Sequence, residues 1–313
     1  MTSPRLTSSL SERVVQDLNV PVPAPVVAFA EALAAQRDTA AVLFYGSILR
    51  TGDLEGVLDF YVLTDGPHRR GLRGLVERRL WPEVGYSEGT YDGVPLRAKI
   101  ATLPIATFLT AAQGHRLDTT IWTRFVQPSA LVWVRNDEDR RMVQRAIAAA
   151  AASAGRYAAV LGQDGAVAAD WWRALFSQTY RAEFRVERAG REKQIVGFAP
   201  ERYAELLPLA WAEGGVAFTD EDGRLTPDLT PDDRRRLLGQ WRWRRRLGRP
   251  LNIARLIKAA FTFEGAARYA AWKIERHTGM VVPLTPWREK HPVLASPGVL
   301  WRLWRRRVQR ETD

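Results

Sequence analysis

The residues best suited to chemistry lie between Val42 and Thr64, in the run V-L-F-Y-G-S-I-L-R-T-G-D-L-E-G-V-L-D-F-Y-V-L-T. One apolar strand feeds Gly46-Ser47, and a second carries Asp59. Gly46 has no Cβ, so the backbone can come close to a triphosphate. Ser47 offers a hydroxyl and a backbone N–H to phosphate oxygens, and a helix opening there adds further N–H groups. Asp59 supplies a hard oxygen ligand for a magnesium ion, Mg2+, bridging those phosphates. The order suits transfer of a nucleotidyl group with loss of pyrophosphate. A Gly-Ser pair after a strand also serves as an ordinary strand-to-helix turn with a serine cap.

Two cations add to this set. Leu96, Ala98 and Ile100 alternate with Arg97 and Lys99, so a strand there carries its charges on one face. Lys99 is a candidate for neutralising a triphosphate, and the other reading is a solvent-facing sheet edge. Arg124 offers a planar fork matched to phosphate oxygens, or a surface ion pair. His68, His115, His277 and His291 show no metal-ligand spacing. Asp137-Glu138-Asp139 and Asp232-Asp233 precede helical patterns, where negative charge favours a helix N-terminus.

The elements that must position these residues are α/β in pattern. Apolar spacing predicts a helix over Val26–Gln36 and strands over Ala40–Tyr45 and Val57–Leu63. A helix is expected from about Arg70 to Leu80. A hairpin of Val84–Tyr91 and Val94–Leu103 is expected around Asp92-Gly93, then a strand over Ala130–Val134. Helical spacing follows over Asp137–Ala154, Ala166–Glu187 and Pro200–Trp211. Thr219–Asp232 reads as a loop rich in Asp, Gly and Pro, and the chain beyond Asp233 as helical and basic. The expected organisation is a nucleotidyltransferase-type domain with a mixed sheet (1–137), a helical domain (138–232) and a basic helical region (233–313).

Composition narrows the function classes. With no cysteine, the chain has no disulfide, thiolate metal site or cysteine nucleophile. The net charge of +11 is uneven: from Arg234 onward 20 Lys and Arg stand against 5 Asp and Glu, leaving 26 of the 46 basic residues against 30 of the 35 acidic ones elsewhere. The last quarter therefore suits an anionic partner, either nucleic acid or an anionic lipid surface, and the other reading is an arginine-rich solvated face. No signal peptide or spanning segment is evident. Over 297–311, Val299, Leu300, Leu303, Trp304 and Val308 share one helical side, Arg302, Arg305 and Arg306 the other, and Trp301 the boundary. That is the pattern of a helix lying in a membrane interface. The expected membrane contacts are therefore Trp301, Trp304, Arg302, Arg305 and Arg306, and the expected location is cytoplasmic, peripheral on the inner face of the membrane.

The Gly-Ser turn followed by a strand Asp resembles the polymerase-beta type nucleotidyltransferases, which usually carry a second carboxylate two residues on. Tyr61 stands there instead. Tyr45-Gly46-Ser47 and Leu58-Asp59-Phe60-Tyr61-Val62 resemble the mitochondrial-type phosphatidate cytidylyltransferases, the translocator assembly and maintenance family. Ile48 replaces that family's second glycine. Leu96–Ile100, Arg124–Pro128, Tyr180–Arg185 with Lys193–Val196, and Lys258, Thr262, Gly265, Tyr269, Lys273 and Ile274 follow the family's order along most of the chain. The resemblance implies an enzyme that transfers CMP from CTP to phosphatidate at a membrane surface, with Mg2+ on Asp59. It implies that Gly46, Ser47, Lys99 and Arg124 bind the nucleotide, and that Asp59 and Ser47 are catalytic. A soluble nucleotidyltransferase acting on RNA or a small molecule, and an inactive membrane-binding homologue, are the alternatives.

Overall fold

The computed structural model describes residues 8–35, 38–66, 80–183, 190–262, 265–278 and 281–290. Helix α1 (Leu10–Leu18) opens on a capping box: the Glu12 amide donates to Ser9 Oγ, and the Ser9 amide to the Glu12 carboxylate. Helix α2 (Ala24–Ala34) starts two residues before the apolar pattern does, with Pro25 in its first turn.

Five strands form a mixed sheet in the order β3-β4-β2-β1-β5. They are β1 (Thr39–Tyr45), β2 (Leu58–Thr64), β3 (Glu83–Tyr91), β4 (Val94–Pro104) and β5 (Ser129–Val134). The short helix α3 (Ser47–Thr51) joins β1 towards β2. The β2–β4 pairing is parallel, and the other three are antiparallel. Asp92 and Gly93, at φ 48° and 77°, make the tight turn of the β3–β4 hairpin. The helix expected near 70–80 lies outside the described residues.

Alternation along the strands separates two packing faces. Val42, Phe44, Leu58, Phe60, Leu96 and Ala98 pack against Phe29, Ala30 and Leu33 of α2. Leu43, Tyr61, Leu63, Ala101 and Leu103 join a larger core on the opposite face. That core includes α4 (Ile105–Ala112), α5 (Thr120–Phe125) and the long, alanine-rich α6 (Asp137–Leu161). Next to α6 pack α7 (Ala168–Glu183) and α9 (Pro200–Glu213), with α8 (Arg191–Phe198) between them in the chain. Small residues on α6 allow close approach: Trp211 donates its indole N–H to the Gly155 carbonyl at 2.8 Å. Trp171 and Trp172 are fully buried, so this pair is core rather than a stacking platform. One continuous core therefore runs through residues on both sides of Asp137.

The segment expected as a loop over Thr219–Asp232 is largely a hairpin. Strands β7 (Ala217–Glu221) and β8 (Arg224–Asp228) meet at Asp222-Gly223, both with positive φ, and β8 also pairs with β6 (Ala166–Val167). The strands are short and carry three Asp and Glu, with a proline inside β8, so composition hid them. Pro227 is tolerated because β6 pairs only with Arg224 and Leu225. The same pairing delays α7, which begins at Ala168 rather than Ala166.

Helix α10 (Pro231–Thr262) and helix α11 (Ala266–Thr278) lie against β3, and α12 (Pro286–Lys290) follows. The expected membrane helix over 297–311 lies outside the described residues. Among the described residues, no helix is long and apolar enough to cross a membrane.

Candidate active site

Strand register brings the predicted residues together. Tyr45 pairs with Asp59, Asp59 with Lys99, and Lys99 with Tyr86, giving one row across β1, β2, β4 and β3. Paired residues share a face, so the row projects to the side of the helical layer. Lys99 is thus adjacent to Asp59 in the interior of the sheet, and not on a free edge. Arg97, two residues away, is 3.6 Å from Glu88 and 5.7 Å from the Trp272 ring, which gives it a structural role.

Gly46 closes the turn from β1 into α3 with φ 100° and ψ −160°. A Cβ placed there would lie 2.8 Å from Oδ2 of Asp59. The glycine is therefore required twice: for its backbone conformation, and for the room the Asp59 carboxylate occupies. Ser47 is the first residue of α3, and its side chain is exposed.

Arg124, in the last turn of α5, reaches the row from the helical side. It donates from Nη1 to the Tyr61 hydroxyl at 2.7 Å, and its guanidinium lies 5.1 Å from the Tyr45 ring and 5.7 Å from the Tyr61 ring. Burial acts to lower its pKa, but the Tyr45 and Tyr61 phenols, Glu183 and Asp59 outweigh burial and raise it. Arg124 therefore stays charged in the electrostatic field of Asp59.

Tyr61, two residues after Asp59 on β2, is fully buried. It packs with Tyr45, Phe108 and Phe125, at centroid distances of 5.3, 6.4 and 5.1 Å. Its hydroxyl receives Arg124. A carboxylate here would be enclosed by aromatic rings, so the site carries one candidate metal-binding acid on β2. Among the described residues, no group of three His, Asp or Glu could hold a metal. One carboxylate fits a magnesium ion whose remaining ligands are water and phosphate oxygens. A pair of ions held by paired carboxylates does not fit.

The structure adds residues that the spacing did not single out. Arg50, three residues after Ser47, is half-buried, and its pKa is held down by burial and by the charge of Arg191. Tyr203, Tyr180 and Asp59 act in the opposite sense. So α7, α8 and α9 each bring a polar group into the electrostatic field of Arg50, as does Asp59. Glu183, buried at the end of α7, accepts a hydrogen bond from the Thr119 hydroxyl and faces Arg124 electrostatically. The signal for Arg50 was its position one helical turn beyond Ser47. None in the sequence pointed to Arg191 beside it.

Two later residues, Gly265 and Tyr269, pack at the far end of the row. Gly265, at φ 79°, would put a Cβ 2.8 Å from the Tyr86 carbonyl, and Tyr269 packs on Tyr86 at 5.4 Å. Lys258 donates to the Leu80 carbonyl at 2.8 Å. These residues brace β3 beside Lys99. No protein-family model matches the chain, and no curated protein matches it.

Proposed function

We propose that the protein is a nucleotidyltransferase that transfers CMP from CTP to phosphatidate at a membrane surface, giving CDP-diacylglycerol and pyrophosphate. The observation that carries this reading is the convergence of Asp59, Lys99 and Arg124 beside Gly46, the one position in the turn with no room for a side chain. The choice of CTP and phosphatidate rests on the resemblance of the Tyr45–Ser47 and Leu58–Val62 segments.

The reaction needs few groups. A lipid phosphate oxygen attacks the α-phosphorus of CTP, and the bond to the bridging oxygen breaks as pyrophosphate leaves. The attacking oxygen is already ionised, so no strong general base is required. Positioning and charge neutralisation supply the catalysis. Ser47 and the Gly46 turn would hold phosphate oxygens, while Lys99 and Arg124 would offset charge that builds on the leaving group. Asp59 would hold magnesium, which when bound neutralises phosphate charge and polarises the phosphoryl group. Arg50 stands on the same side as a further anion contact.

A surface on α10 supports the membrane part of the reading. Trp243, Leu247 and Ile257 are exposed at helical spacing, at 60%, 41% and 57%, opposite the buried side formed by Leu237, Trp241 and Arg244. Arg242, Arg245, Arg246 and Arg249 are exposed on the same helix. Apolar residues with arginines around them match a lipid interface.

The test is pyrophosphate release from each of the four ribonucleoside triphosphates, with magnesium, with and without phosphatidate vesicles. Release confined to CTP with vesicles is expected. An Asp59→Asn variant should lose on the order of a hundredfold or more in turnover, with its thermal midpoint unchanged. Release without lipid would instead favour a soluble acceptor such as RNA. A fully active Asp59→Asn enzyme would remove the assignment altogether.

A further inference from the structure

A second cationic recess lies away from these residues. It is a cavity of about 570 Å3 between α6, the start of α1, the turn after α4 and the end of α9. Its floor is apolar and low, formed by Ala148, Ala149 and Ala152 of α6, with Val15 of α1 at the side. Arg141 and Arg145 stand at one end of this stripe and Arg156 at the other, while Gln113 and His115 approach from the turn. None of these residues belongs to the candidate active site.

The arginines are an unusual feature of this face. Arg141 and Arg145 are one helical turn apart, a like-charge spacing that works against the helix. No ion pair among the described residues involves Arg141, Arg145 or Arg156, whereas the neighbouring Arg140 is paired with Asp137. Glu213 is the one acid lining the recess. An ordinary solvated helix face carries alternating charges or long polar side chains; here three cations surround alanines that leave space between them. The turn bearing Gln113 and His115 is also fixed in place. Arg244 donates to the carbonyls of Gly114 and Arg116 at 2.6 and 3.2 Å, and Gly114 has φ 71°. Behind the floor, Arg156 donates to the Ser153 hydroxyl at 3.5 Å.

We infer that this recess is a second anion site, which binds a phosphate-bearing ligand through Arg141, Arg145 and Arg156 with the less polar part of the ligand seated on the alanine floor. Guanidinium groups suit phosphate oxygens through their forked donors. Two sources share this chemistry: a small soluble phosphate compound, and the headgroup of an anionic lipid. The inference does not depend on the proposed reaction.

The experiment uses the full-length protein and the double variant Arg141→Gln/Arg145→Gln, which alters two exposed side chains and whose folding is checked by its thermal midpoint. Binding of inorganic pyrophosphate is followed by calorimetry, and binding of phosphatidate vesicles, against phosphatidylcholine vesicles, by flotation. Asp59→Asn is run alongside. Saturable binding of either probe that persists in Asp59→Asn and weakens at least tenfold in the double variant is the expected result. If pyrophosphate is the probe that responds, the ligand is soluble; if the vesicles respond, it is a headgroup. Binding of neither probe, or binding equally strong in the double variant, would overturn the inference.

Discussion

Gly46 and Asp59 set each other's limits. An alanine at 46 would have to hold φ 100° and put its methyl 2.8 Å from the Asp59 carboxylate oxygen. The backbone strain alone costs about 1–3 kcal/mol. We therefore expect Gly46→Ala to lower the thermal midpoint by several degrees. It should lower turnover far more, because relief of the contact moves Asp59. Retention of full activity would show that the carboxylate has no role at that position. At this scale the sequence was most legible: Gly46, Ser47, Asp59 and Lys99 were read from three strands and the turn after the first, and pairing brings Asp59 and Lys99 side by side. Tyr61 was legible only as a missing carboxylate. Its part as the acceptor for Arg124 depends on α5, which no local pattern ties to β2.

Among the elements, the helices with clean apolar periodicity and the Asp92-Gly93 hairpin were readable because each signal is local. The β7–β8 hairpin was not, since its strands depend on pairing with each other and with β6, and their composition is that of a loop. Nor does local sequence reveal that Tyr180, Arg191 and Tyr203, on three later helices, act on Arg50. Helix α10 carries the prediction that belongs here. Its buried side holds Leu237, Trp241 and Arg244, so changes at Trp243 and Leu247 leave the packing intact. Trp243→Ser with Leu247→Ser should weaken flotation on anionic vesicles by at least about tenfold, from the apolar area withheld from lipid. The melting curve should be unchanged. Equal flotation would assign the exposed residues no lipid contact.

At the scale of the whole molecule, a long-range pair ties α1 to α9. Arg202 on α9 pairs with Asp17 on α1 at 2.7 Å, both side chains 9% exposed, and donates to the Val126 carbonyl at 3.0 Å. Removing one member of a buried pair costs about 3–5 kcal/mol. Asp17→Ala should therefore destabilise strongly in denaturant titrations. Glu205→Ala, which removes the 61%-exposed partner of Arg13, should change stability by less than about 1 kcal/mol. Similar losses from both variants would mean the burial of the Asp17 pair contributes nothing. The cover over β3 has a different consequence. This strand is an outer edge of the sheet, and besides the early helix α2 it has α10 and α11 against it, which come late in the chain. As the polypeptide leaves the ribosome, β3 is made well before these two helices exist. During that interval the strand presents open amide and carbonyl groups to any neighbouring chain. A nascent chain stalled before residue 231 would be a template for intermolecular strand pairing, so α10 and α11 would guard this strand against aggregation.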